Sequence, residues 1–102
     1  MARDDLHVIV YQILSYLYQQ MKEGRDVDEK KIDEHAFKIP RSYWSFIMSE
    51  LHSLGYAKGY SAVPLNGGGH AIEHLERARI TFKGVEYLTD DAFMKRVREE
   101  RE

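Results

Sequence analysis

The sequence predicts an α+β, mainly helical fold in one domain, on three observations. Between residues 5 and 54 apolar side chains recur at the three-and-four spacing of helices that bury one stripe. After Gly55 the period drops to two, and a proline- and glycine-rich loop splits that alternation into the two arms of a hairpin. Helical spacing returns from Thr81. A chain of 102 residues is the size of one compact core. The domain is expected over residues 1–97, with the charged stretch 98–102 as a frayed tail.

The first helix, Asp5 to Met21, sets Leu6, Ile9, Val10, Ile13, Leu14, Leu17 and Met21 on one stripe. Val8, Tyr11 and Tyr18 lie on its other side as a second, less complete apolar surface, suited to another helix of the chain or to a dimer seam. Lys22 to Asp26 is a charged connection around Gly24. Asp28 is an N-cap by type, and Val27 with Ile32 forms a hydrophobic staple around it. A short second helix should follow, turning Ile32, Ala36 and Phe37 inward. Pro40 suits the first turn of a third helix, where its missing N–H costs nothing. Trp44, Ile47, Met48, Leu51 and Leu54 are that helix's core stripe, and Gly55 stands where a left-handed C-terminal cap is wanted, with Tyr56 closing back on Leu51.

Tyr56, Lys58, Tyr60 and Ala62 then alternate with Ala57, Gly59 and Ser61 in a first strand. Pro64 to Gly69 is the loop, and Ala78, Ile80 and Phe82 alternate with Arg77, Arg79 and Thr81 in the return strand. Thr81 caps a last helix that buries Phe82, Val85 and Leu88. Asp90 or Asp91 restarts that helix, and Phe93, Met94 and Val97 continue its apolar side.

Three helices, a two-stranded wing and a C-terminal helix are the element order of a winged helix-turn-helix domain. The stretch MSELHSLGYAKG, residues 48 to 59, looks like a recognition helix turning into the first wing strand, and ARITFKGVEYL, residues 78 to 88, looks like the exit from the wing. Beyond the fold, GYAKGY (55 to 60) and ITFKGVEYLTDDAFMKRV (80 to 97) resemble the YjcQ-like family, small winged-helix proteins of bacteria and prophages. The resemblance covers almost the whole chain. It implies a winged-helix fold and, through that fold, a bacterial or prophage transcriptional regulator that binds double-stranded DNA. The serine-rich third helix and the tip sequence GGGHAIEH depart from the family pattern.

Composition removes several function classes. With 43% hydrophobic and 31% charged residues the chain reads as globular, neither disordered nor membrane-spanning. The N-terminus lacks a signal pattern, so a cytoplasmic location is expected. The absence of cysteine excludes disulfides, thiolate zinc sites and a cysteine nucleophile. His70, Glu73 and His74 have the H-x-x-E-H spacing that, on one helical turn, holds zinc and a general base. Here the motif follows three glycines and runs into a strand, where residues four apart lie about 13 Å from each other along the backbone. No metal is therefore expected at this solvated tip. His7, His35 and His52 fall on separate elements. Ser42, Ser45, Ser49, Ser53 and Ser61 lack a G-x-S-x-G elbow, and no glycine loop with a following lysine is present. Neither an enzyme nor a cofactor is expected.

Two classes remain. For DNA binding, the third helix enters the major groove. Projected at about 100° per residue, Ser42, Ser45, Phe46, Ser49 and Ser53 lie farthest from the core stripe. Arg41 is the residue for a bidentate guanine contact, and Lys58, Arg77 and Arg79 are the phosphate grips of the wing. For protein binding, with a homodimer or another protein as partner, the anchors are Phe46, Tyr43 and the Val8, Tyr11 and Tyr18 surface. Glu34, Glu50, Glu73 and Glu76, with a formal net charge of −2, weigh against phosphate.

Overall fold

The computed structural model describes residues 5–91, 94–96 and 99. Helix α1 spans Asp5–Glu23. Its stripe of Ile9, Val10, Ile13, Leu14 and Leu17 is buried, while Leu6 and Met21, expected inward, are exposed. A 19-residue helix outruns the core it crosses, so its first and last turns are left uncovered. The second surface expected of this helix is half-buried at Val8, Tyr11 and Tyr18, and the two tyrosines pack against the core.

Val27 is buried after α1, and Asp28 caps a single 3-10 turn, Glu29–Lys31, by accepting the Lys30 N–H. Helix α2, Glu34–Phe37, has its own cap in Asp33, which accepts the Ala36 N–H at 2.9 Å. The second helix is thus split in two, and Ala36 is exposed rather than inward. A second capping aspartate competes with continuation of the first turn by binding backbone N–H groups itself.

Helix α3, Arg41–Ser53, follows Pro40 at its N-cap. Trp44, Ile47, Met48 and Leu51 are buried, and the Trp44 indole N–H donates to the Ile32 carbonyl at 2.7 Å, tying α3 to the preceding turn. Leu54 ends up exposed, just past the last turn. Gly55, at φ +83°, lets the Tyr56 N–H reach the Leu51 carbonyl at 2.9 Å, the closure the sequence predicts.

The hairpin consists of β1 (Ala57–Lys58), β2 (Ser61–Pro64), β3 (His70–Glu73) and β4 (Arg79–Ile80), with β1 antiparallel to β4 and β2 antiparallel to β3. Both arms break at the same level, at Gly59–Tyr60 and at a 3-10 turn, Leu75–Arg77. The inward phase shifts there, because Ala57 and Tyr60 are buried on one arm and Leu75, Ala78 and Ile80 on the other. Gly59 makes the break possible: its φ is +96°, and a Cβ would stand 1.9 Å from the Arg77 carbonyl oxygen. The base of the hairpin thereby packs on α1 while its outer half lies against α3. Arg77 belongs to the turn and not, as expected, to the return strand.

Helix α4, Phe82–Asp90, is capped by Thr81, which accepts the Gly84 N–H at 2.9 Å and donates to the Gly55 carbonyl. Gly84 and Leu88 face inward. A Cβ at Gly84 would meet the Tyr56 carbonyl oxygen at 2.2 Å, so glycine is what lets α4 seat against the α3–β1 turn. Phe82, expected in the core, is 93% exposed. Counted by helical period it lies about 160° around α4 from Gly84, off the buried stripe. Met94 is fully buried, whereas the readings for Phe93, Val97 and the tail apart from Glu99 lie outside the described residues. Among the described residues no helix is long and apolar enough to cross a membrane.

Candidate interaction surface

The outward face of α3 is not open in the way its sequence suggests. Ser45 and Ser49, projected farthest from the core, are only 6% and 7% exposed. The projection located one buried stripe, but β2 and β3 lie across the helix and create a second. Both hydroxyls donate back along the helix, Ser45 to the Ser42 carbonyl at 3.2 Å and Ser49 to that of Phe46 at 3.1 Å. Small side chains let the hairpin close. Tyr60 completes the seal: its hydroxyl donates to the Met48 carbonyl at 2.6 Å, the His52 ring meets it edge-on, and burial pushes its phenol well up. Ser42, Phe46, Glu50 and Ser53 remain exposed on α3.

The cations expected at DNA are dispersed. The Arg41 guanidinium donates to the Glu34 carboxylate at 2.8 Å and lies 5.5 Å from the Trp44 ring centroid. Burial tends to raise the Glu34 pKa, but its own backbone N–H and Arg41 outweigh that and hold the carboxyl below its usual range. Arg41 therefore braces the start of α3 against α2. Lys58 and Arg79 are exposed and directly opposite each other on β1 and β4. Arg77 is exposed on its turn beside Glu76, 3.9 Å away. Lys58 shares a groove with Tyr18, Met21 and Lys22, and Arg79 shares a hollow with Gln20, Gly24 and Asp26. Neither recess includes a residue of α3.

Two grooves of the surface are lined mainly by apolar side chains. One, of about 180 Å³, lies between Leu6, Val10, Phe46, Leu54, Tyr56 and Tyr87, with Glu50 on its edge. Phe46 is 53% exposed here, and Tyr56 stacks on Tyr87 with ring centroids 4.4 Å apart. Burial, then Asp91 and Tyr56, push the Tyr87 phenol up. Tyr43, the expected flank of Phe46, is instead half-buried and packed against the core. The other groove, of about 540 Å³, runs between the end of α1, the hairpin base and the start of α4. Tyr18, Met21, Ile80, Phe82 and Val85 supply its apolar surface, with Lys22 and Lys58 beside them.

Sequence reasoning missed Met21 and Phe82 because it assigned both to the core. Counting helical turns outward from buried Leu88, instead of extending the strand alternation past Ile80, would have placed Phe82 at the surface. The H-x-x-E-H motif lies on β3 and ends at His74 in a left-handed conformation, φ 63°, so its residues do not share a helical turn. Among the described residues no group of three His, Asp or Glu side chains is placed to hold a metal ion.

No curated protein and no solved structure was found to match the chain. Residues 11–101 match the family model described as YjcQ protein, and the chain belongs to that family.

Proposed function

Taking the chain as a YjcQ-family protein, we propose that it is a non-enzymatic protein-binding module built on a winged-helix scaffold. One observation carries the proposal: the outer half of the hairpin covers one side of the α3 face that such a scaffold would offer to the major groove, burying Ser45 and Ser49 and leaving Ser42, Phe46 and Ser53 open. Base readout needs side chains that project to base edges. These two hydroxyls are committed to their own helix, Arg41 is held by Glu34, and the exposed remainder of α3 includes Phe46 and Glu50. Exposed aromatic side chains beside apolar grooves suit a protein partner, where such residues supply much of the binding energy.

A second reading, a DNA-binding regulator, is favoured by the opposed pair Lys58 and Arg79, which has the placement of a phosphate grip. Fluorescence anisotropy of a labelled random-sequence duplex separates the two. No saturable binding is expected even at low salt. Salt-sensitive binding that disappears in Lys58→Glu, Arg79→Glu or Arg41→Glu would establish the nucleic-acid class instead, since counterion release makes phosphate contacts steeply salt-dependent.

A further inference from the structure

We infer that the groove between the end of α1, the hairpin base and the start of α4 docks an acidic amphipathic segment of a partner protein. The inference rests on the protein-binding proposal and adds the site and the chemistry of its occupant.

The apolar half of the match is led by two side chains the fold does not bury, Phe82 and Met21. Phe82 is the first residue of α4 and is 93% exposed. Capping at this position needs only the Thr81 hydroxyl and the Gly84 N–H, so a polar helix former would serve the helix as well. Met21, on the last turns of α1, is 48% exposed across the same groove, and half-buried Tyr18 and Val85 line it as well. The groove has about three times the volume of the one beside Phe46, 540 against 180 Å³.

The charged half comes from the rim. Lys22 and Lys58 border the groove, and Arg79 stands directly across from Lys58. The Lys22 ammonium lies 4.6 Å from the Tyr18 ring centroid. The neighbouring acid on α1, Glu23, is engaged by Arg25 at 3.2 Å and by the Gln19 amide. An apolar trough with a cationic border complements a segment that carries Leu or Phe on one face and Asp or Glu beside them, the helix-in-groove mode of recognition. Its concavity fits a chain segment better than the flat face of a bilayer.

The test uses the whole chain and a fluorescein-labelled peptide with Leu and Phe at helical spacing and Asp and Glu between them. A scrambled peptide of the same composition and a version with Lys for the acids serve as controls. The amphipathic acidic peptide should bind and both controls should not. Phe82→Ser should weaken binding by about tenfold or more, as loss of an aromatic anchor does. Lys22→Glu combined with Lys58→Glu should weaken it comparably, while Phe46→Ser leaves it unchanged. All four positions are exposed, so an unchanged urea midpoint is expected to show each variant folded.

The inference is overturned if the scrambled peptide binds equally, if the amphipathic peptide does not bind, or if Phe46→Ser abolishes binding and Phe82→Ser does not. Phe82-dependent binding to phosphatidylserine vesicles without peptide binding would overturn it in favour of a membrane. Failure with peptide and duplex alike removes this site and leaves the protein-binding proposal standing, whereas salt-sensitive duplex binding removes the proposal itself.

Discussion

The two halves of the hairpin treat their helices differently. The outer half, β2 with β3, lies so close on α3 that two serines of that helix are buried. The base, β1 with β4, packs on α1 but leaves Met21 in an open groove. Gly59 and the facing 3-10 turn separate the halves and shift the inward phase between them. On α3 the Ser45 and Ser49 side is filled while Ser42, Phe46, Glu50 and Ser53 stay open, and the apolar, cation-bordered surface stands at the edge between α1 and α4.

The break at Gly59 is the place where this difference can be undone. Gly59→Ala puts a methyl group 1.9 Å from the Arg77 carbonyl and holds a side chain at φ +96°. A stability loss of about 3 kcal/mol or more is expected from clash and strain together. Gly84→Ala should cost a similar amount, because its neighbour at 2.2 Å is backbone and cannot swing aside. Urea denaturation measures both. A cost under about 1 kcal/mol at Gly59 would show that the hairpin bends elsewhere.

The next effect distinguishes a covered α3 from an open one. Ser45→Leu and Ser49→Leu should each lose about 1–3 kcal/mol by overpacking the contact with β2 and β3. Ser42→Leu and Ser53→Leu, on the exposed side of the same helix, should stay within about 0.5 kcal/mol. Four equal values would mean that the hairpin does not close on the helix.

These serines also mark the limit of what the sequence discloses. The element order, the buried stripes of α1 and α3, the Thr81 cap and the closure of Tyr56 on Leu51 are legible because each depends on spacing or on one residue's chemistry within a few positions. The cover over Ser45 and Ser49 is not, because it depends on where the later strands Ser61–Pro64 and His70–Glu73 fold back, and serine is equally at home in water. Phe82 misleads for a related reason. It lies where a period of two gives way to a period of 3.6, and both patterns claim it for the core. The groove it borders is assembled from α1, β1, β4 and α4, and no local pattern joins four distant segments.

Tyr60 sharpens the comparison at the seam between the halves. Tyr60→Phe removes the hydroxyl that donates to the Met48 carbonyl, at a cost of about 1 kcal/mol. Its folded pKa is raised by burial, so its contribution is fully present below the ordinary tyrosine value of 10.0 and is lost as pH rises above it. Wild-type stability should therefore fall on the alkaline side of that value more steeply than that of Tyr60→Phe.

The smallest effect separates two ways in which Arg41 braces the start of α3, its pairing with Glu34 and its contact with the Trp44 ring. Its partner Glu34 keeps a lowered pKa through its own N–H and Arg41, which together outweigh the opposing influence of burial. The sign follows: a depressed carboxylate contributes stability above its unfolded value and loses it as pH falls through the folded one. Arg41 is 62% exposed, so Arg41→Ala should cost only about 0.5 kcal/mol at neutral pH. The loss should shrink as Glu34 protonates, since no charge is then left for Arg41 to hold. Thermal melts of both chains across the acid range would record that convergence. A cost that persists after Glu34 is protonated would assign Arg41's role to its contact with the Trp44 ring, 5.5 Å away, and would still leave its guanidinium engaged within the fold.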